Sequence, residues 1–212
     1  MPPPLTILAG KKVLFVMAAA PEFGPHLDAV IKPLMIGVGP VEAGISLGAA
    51  LAELKITGNL PDLVVSLGSA GSRRLQRTEV YQVTSVIYRD IDASPFGFEK
   101  HTTPYVDLPA TQELPIRIPG VREASISTGG TIIAGTAFDA VPEDMVDMET
   151  FACLRACQRF CVPLIGLRGI SDGETDVSHI GDWEEYLHVI DEKLALVIGL
   201  LRDAIEDGRI SL

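Results

Sequence analysis

Six short apolar runs limit what this chain can fold into: Val13–Ala18, Leu34–Val38, Leu63–Leu67, Val80–Tyr88, Ala124–Thr128 and Leu164–Ile170. Several are apolar at every position rather than at every second one. A strand with one solvated face alternates, whereas a strand covered by helices on both faces does not. Between the runs lie stretches with helical spacing, Glu22–Val30, Val41–Leu54, Glu149–Phe160 and Glu184–Ile205. Pro40 suits the first position of the second helix. The last helix sets Leu187, Ile190, Leu194, Val197 and Leu201 on one face. Strand–helix alternation predicts an α/β chain, with a mainly parallel or mixed sheet and helices on both sides. The ligand site of such a sheet lies outside the carboxyl ends of its strands.

Composition narrows the classes further. Apolar residues make up 47% of the 212 and charged residues 21%, which excludes disorder over most of the length. No linker or internal repeat divides the sequence. We expect a single domain over 11–212 behind a flexible N-terminal arm at 1–10, where Pro2, Pro3 and Pro4 bar regular structure. The segment from Pro95 to Pro119 holds five prolines and reads as a long excursion from the core. A net charge of −11 repels phosphate backbones and anionic lipid, so neither nucleic acid nor membrane is an expected partner. No apolar run reaches the ~18 residues of a membrane span. The stretch from Lys11 to Ala20 imitates a signal peptide but reads as a first buried strand. Cys153, Cys157 and Cys161 recur every four residues and are expected as buried thiols on one helix face. Their odd number argues against a disulfide framework, and the expected compartment is the cytoplasm. His26, His101, His179 and His188 have no metal-ligand spacing, so no metal is expected. There is no G-x-S-x-G elbow of a serine hydrolase.

Four strand ends carry chemistry. Met17–Glu22 puts a carboxylate after the first run, where the plain reading is a first-turn glutamate favoured by the helix dipole. Gly68-Ser69-Ala70-Gly71-Ser72 is small enough for backbone N–H groups to approach a ligand closely, and a tight structural turn reads equally well. Val146-Asp147-Met148-Glu149-Thr150 and Arg168-Gly169-Ile170-Ser171-Asp172 each end on acids. A Glu and an Arg at neighbouring strand ends could pair and so orient the Glu for a ligand hydroxyl. A partly buried Asp there can have its pKa raised and act as an acid. Any one of these could be a helix cap or a surface ion pair; four in one sheet are harder to dismiss.

Taken in order, MAAAPE, GVGPVEAG, PDLVVSLGSAG, RDIDASPFGFE, VDMET, VPLIGLRGISD and SHIGDWEEYL resemble the nucleoside phosphorylase/nucleosidase superfamily. The likeness runs from about Val13 to Leu201 and is greatest to the bacterial 5′-methylthioadenosine/S-adenosylhomocysteine nucleosidases. It implies a three-layer α/β/α sandwich around a central mixed twisted sheet, a homodimer, an adenine nucleoside substrate and no cofactor. It also implies roles. Glu22 would activate water and Asp172 would protonate N7 of the leaving adenine. Met148 and Glu149 would hold the ribose, with Arg168 supporting Glu149. Ser171 would position Asp172, the Ser69-Ala70-Gly71 turn would lie beside the sugar, and Trp183 would stack or close over the site. Relatives commonly read S-G-D-x-F where this chain has Thr128-Gly129-Gly130-Thr131-Ile132. The base would then pack on aliphatic Ile132 and Ile133. Phosphorylases of the superfamily usually place an Arg at the position of Ser66, which favours water over phosphate as the nucleophile. Arg73 and Arg74 just past the turn keep phosphorolysis open, and a silent nucleoside-binding protein is the remaining alternative.

Overall fold

The apolar runs become strands of one mixed sheet. The structure, a computed structural model, describes residues 2–173, 183 and 186–212. In chain order its elements are β1 (Thr6–Leu8), β2 (Lys11–Met17), α1 (Pro25–Asp28), β3 (Leu34–Met35), α2 (Pro40–Ile56), β4 (Leu63–Gly71) and β5 (Val80–Tyr88). There follow β6 (Thr111–Glu113), β7 (Arg122–Thr128), β8 (Met145–Asp147), α3 (Thr150–Phe160), β9 (Leu164–Asp172) and α4 (Leu187–Glu206). β2 and β9 flank β4 and run parallel to it. β5 joins β9 antiparallel, β7 runs parallel to β5, and β8 runs parallel to β7. A single antiparallel pair, Gly71 with Val146, returns β8 to β4, so the sheet curls until those strands close on themselves.

Side-chain alternation divides the core in two. Leu14, Val16, Val64 and Leu164 face Leu47, Leu51, Cys153 and Cys157 of α2 and α3. Val13, Phe15, Leu63, Val65 and Leu167 face Leu27 of α1 and Ile190, Leu194 and Leu201 of α4. Helices on both faces of a mixed sheet are the three-layer arrangement expected, and they explain why the central strands are apolar throughout.

Four local expectations are corrected. Thr6–Leu8 is not a loose arm but pairs antiparallel with β2, because Ala9 and Gly10 take positive φ and turn the chain back. Glu22–Val30 is not a continuous helix. A 3-10 turn over Ala20–Glu22 stops at Phe23, and Gly24 is extended ahead of Pro25, as a residue before proline prefers. The second half of the 95–119 excursion is tied down. β6 pairs with β5, Leu114 and Ile118 are buried, and the Gln82 amide bonds the backbone of Ile118 and Val121. Cys161 is exposed in the left-handed turn that ends α3, while Cys153 and Cys157 are buried. Burial pushes the Cys153 thiol up to about 12, which leaves it inert.

The approach of α4 to the sheet depends on Gly169. A Cβ there would lie 2.3 Å from Ile190 Cγ2 and 3.1 Å from Ile190 Cβ, too close for rotation of the isoleucine to relieve. Gly169→Ala is expected to force α4 off β9 and lower the unfolding free energy by about 1–3 kcal/mol. A urea midpoint equal to wild type would show that the helix shifts without cost.

Candidate active site

The four strand ends singled out in the sequence meet at one edge of the sheet. The 3-10 turn carrying Glu22 follows β2, Ser69 lies at the end of β4, Met148 and Glu149 follow β8, and Asp172 ends β9. Glu22 is buried. Its Oε1 accepts from the Ser69 N–H and the Ser69 hydroxyl, both at 2.7 Å. Its Oε2 is buried and accepts from no described residue. Burial raises the Glu22 pKa, opposed by the two Ser69 bonds and the charge of Arg168. The loop that presents Glu22 is held from behind. Asp191 of α4 accepts the N–H groups of Gly24, His26 and Leu27 at 2.8–3.1 Å. The first-turn dipole reading therefore does not apply to Glu22, which sits outside any α-helix.

Arg168 does not hydrogen-bond Glu149, as the resemblance implied, but Asp147. Its Nε and Nη2 reach Asp147 Oδ2 at 3.2 and 3.0 Å, and both side chains are buried. The other guanidinium bonds go to the Ser66 carbonyl, the Ser66 hydroxyl, the Leu167 carbonyl and Thr150 Oγ1. Burial works against the charge of Arg168, but Asp147 and Glu149 outweigh it. Asp147 also accepts from the Thr128 hydroxyl at 2.6 Å and from the Thr150 N–H and hydroxyl at 2.9 and 2.5 Å. It is the residue that the sequence reading passed over. Of the two acids in VDMET, sequence gives no sign of which one the arginine takes. Glu149 stands just before α3 without capping it through its side chain; its Oε1 instead accepts the N–H of Gly39, just before α2, at 2.8 Å. Burial and the nearby Asp147 carboxylate push its pKa up to about 7.

Asp172 is half-buried, and burial raises its pKa. Ser171 Oγ donates to Asp172 Oδ1 at 2.5 Å, which pulls the pKa down and fixes the carboxyl. Glu22 packs on Gly68, and Asp172 packs on Gly71: a Cβ at either glycine would lie 3.0–3.1 Å from a carboxylate oxygen. Glu22 therefore stands beside Gly68 and Asp172 beside Gly71, both towards the carboxyl end of β4. Ala70 is buried on β4, and Met148 is half-buried beside Glu149. Trp183 Nε1 donates to Ser69 Oγ at 2.8 Å.

The segment after β7 is less as expected. Ile133 packs on Phe138, Val141 and Val146, but Ile132 is 72% exposed and forms no apolar floor in this conformation. Arg89 shapes the segment by bonding the carbonyls of Ser127, Asp147, Gly129 and Thr131. Asp90 Oδ2 accepts the Gly130 N–H at 2.5 Å. A Cβ on Gly129 would lie 2.3 Å from Asp90 Oδ1 and 2.7 Å from Arg89 Cγ, so a side chain there would displace Asp90 and Arg89.

Comparison with known proteins bears on this arrangement. The model of the phosphorylase superfamily matches residues 29–206. The chain belongs to the phosphorylase superfamily. Among its curated relatives, the 5′-methylthioadenosine/S-adenosylhomocysteine nucleosidase of Actinobacillus succinogenes is 29% identical over 194 residues, 80% of each chain. Among solved structures, an S-adenosylhomocysteine nucleosidase of Streptococcus pyogenes in complex with 5-methylthiotubericidin has a TM-score of 0.75 at 18% identity, covering 92% of this chain and 98% of that one. A futalosine hydrolase mutant of Helicobacter pylori has a TM-score of 0.74 at 17% identity, covering 90% and 98%. This member of the phosphorylase superfamily therefore shares its fold with nucleoside-cleaving proteins.

Glu149 makes the site costly to hold at high pH. Its pKa is raised in the folded chain, so the fold favours the neutral acid. The stability it contributes is full below about 4.5 and is lost as pH rises through about 7. Glu149→Gln keeps an acceptor for Gly39 and removes the charge. At pH 8 it is expected to be more stable than wild type by up to ~3 kcal/mol and so to melt at a higher temperature, with the gap closing towards pH 5. Equal melting curves at pH 8 would show that Glu149 ionises there without cost.

Proposed function

We propose that the protein hydrolyses the N-glycosidic bond of 5′-substituted adenosines, releasing adenine and the ribose derivative. Methylthioadenosine, S-adenosylhomocysteine and 5′-deoxyadenosine are the substrates to test first. The observation that carries this reading is the pair of acids set against β4, Glu22 buried and Asp172 half-buried. Glu22 has one oxygen tied to Ser69 and the other unpartnered among the described residues. Asp172 has a raised pKa and only one oxygen engaged by Ser171. The nucleosidase relative of Actinobacillus succinogenes points the same way.

In this mechanism water attacks C1′ as the C1′–N9 bond breaks. Glu22 Oε2 takes the water proton, and Asp172 gives its proton to N7, so adenine leaves neutral. The acid must be protonated and the base ionised at the same pH. Glu149 accepts the ribose hydroxyls, with Met148 against the sugar and the Ser69-Ala70-Gly71 turn beside it. Ile133 and its neighbours line the approach to the base.

Water is favoured over phosphate because Arg168, Arg73 and Arg74 are each engaged by other groups. The guanidinium of Arg168 is filled by Ser66, Leu167, Asp147 and Thr150. Arg73 bonds Asp139, and Arg74 bonds the carbonyls of Val141, Pro142 and Glu143. These partners, with the Phe138 ring under Arg73, hold both side chains against the 138–143 segment.

The protein also acts as a homodimer in this reading. Val38, Val41 and Ile45, at and just before the start of α2, are more than half exposed, and Met35 is 39% exposed. Of these, Val41 lines an open groove of about 700 Å³ together with Tyr88, Phe151 and Phe160. Two buried thiols fit a reducing cytoplasm. No helix among the described residues is long and apolar enough to cross a membrane.

Chromatography of the products tests the activity. Free adenine formed from methylthioadenosine without phosphate is the expected result. Product that forms only with phosphate would make the enzyme a phosphorylase, and no product from any adenosine would favour a silent binder. Asp172→Asn and Glu22→Gln are each expected to lower kcat by about 10²–10⁴-fold in folded protein. Wild-type rates in either would remove that residue from its role. For the dimer, sedimentation should give twice 22.7 kDa, and Val41→Glu with Ile45→Glu should halve it; a monomeric wild type would refute the assembly.

A further inference from the structure

Three chain segments meet at one hydroxyl. Ser69 Oγ lies 2.7 Å from Glu22 Oε1 and 2.8 Å from Trp183 Nε1. A serine hydroxyl carries one hydrogen and two lone pairs, and on its own it rotates among whatever acceptors lie near. An indole N–H only donates. With Trp183 donating to it, Ser69 Oγ must accept on that side, and its hydrogen is left for Glu22. The order of the chain is therefore fixed as Trp183 to Ser69 to Glu22, and each bond polarises the next. The Ser69 N–H donates to the same oxygen, so both donors act on Oε1 and none of the described residues acts on Oε2.

We propose that Trp183 is a positioning residue for Glu22: its indole N–H sets the Ser69 hydroxyl so that Oε1 is held and Oε2 becomes the oxygen that meets water. This rests on Glu22 being the base. It gives Trp183 a task apart from stacking on a substrate, which a phenylalanine would perform as well. Other groups that act on Glu22 do so independently of Trp183. Arg168 from β9 favours its ionised form. Glu149 at the start of α3 is near enough for the Glu22 charge to raise its pKa. Asp191 of α4 holds its loop through Gly24, His26 and Leu27.

The test compares full-length wild type with Trp183→Phe, Ser69→Ala and the double variant. Methylthioadenosine hydrolysis is followed across pH, and folding is checked by circular dichroism. Trp183→Phe is expected to lower kcat about tenfold, the scale of one hydrogen bond, with KM within about twofold. Its acidic limb should move to higher pH, because a weakened Ser69 donor lets the Glu22 pKa rise. In the Ser69→Ala background the same change should cost less than about twofold, since the path is already cut. Wild-type kcat in Trp183→Phe, or losses that multiply in the double variant, would overturn the proposal. A second readout needs no turnover. Trp183 is the only tryptophan in the chain, so Ser69→Ala should shift the emission maximum of the free protein. An unchanged spectrum would overturn the contact itself. If Glu22→Gln keeps wild-type rates while that shift is seen, the base assignment fails and the contact stands.

Discussion

The site is organised around the buried contact between Arg168 and Asp147. It joins β9 to the end of β8, and its remaining bonds reach β4 through Ser66 and α3 through Thr150. Neither group tolerates burial alone; Asp147 and Glu149 favour the charge on Arg168, and the pair is held by hydrogen bonds on every side. Ser66 is small, which leaves the space between β4 and β9 that the guanidinium fills. Removing either partner would strand a buried charge, a loss of about 3–5 kcal/mol. The strand ends that carry Glu149 and Asp172 are thereby fixed to one another, and the carboxylates inherit their spacing from a pair that itself performs no chemistry in the mechanism.

The central fold was legible because its strands are covered twice. Leu63–Leu67 and Leu164–Ile170 show unbroken apolar runs, and that pattern has one structural meaning at this length. The α4 face was legible because five apolar residues repeat at helical spacing. β6 and β8 were not. Three residues are too few to show a period, and each exists because a neighbouring strand or side chain supplies its backbone partners. Gln82 is such a partner for the chain beyond β6, and nothing local to 111–118 announces it. The start of the chain was misread for the same reason, since β1 depends on β2 rather than on its own sequence.

In the site, the location of the acids could be read and their partners could not. The rule that ligands lie at strand carboxyl ends brought Glu22, Ser69, Glu149 and Asp172 into view together. Whether Arg168 meets Asp147 or Glu149 depends on a two-residue difference in where β8 stops and α3 begins. Side-chain geometry decides that, and spacing does not. The link from Trp183 to Ser69 joins positions more than a hundred residues apart and has no sequence signature. Arg89 was likewise visible only as part of a motif, and its four carbonyl partners appear once the loop after β7 is folded.

The raised acids of the crevice have a meaning for the reaction. Burial lifts Glu22, Asp172 and Glu149 together, and the neighbouring carboxylates Asp147 and Glu22 add repulsion at Glu149. Around Glu22 and Glu149 this field makes negative charge unfavourable in the folded protein, and Arg168 offsets it only in part. A sugar losing its base passes through an oxocarbenium-like state, which brings positive charge into that field. The repulsion among carboxylates then becomes attraction for the cationic sugar at the top of the barrier. The dipoles and charges that provide it are already in place before the substrate arrives.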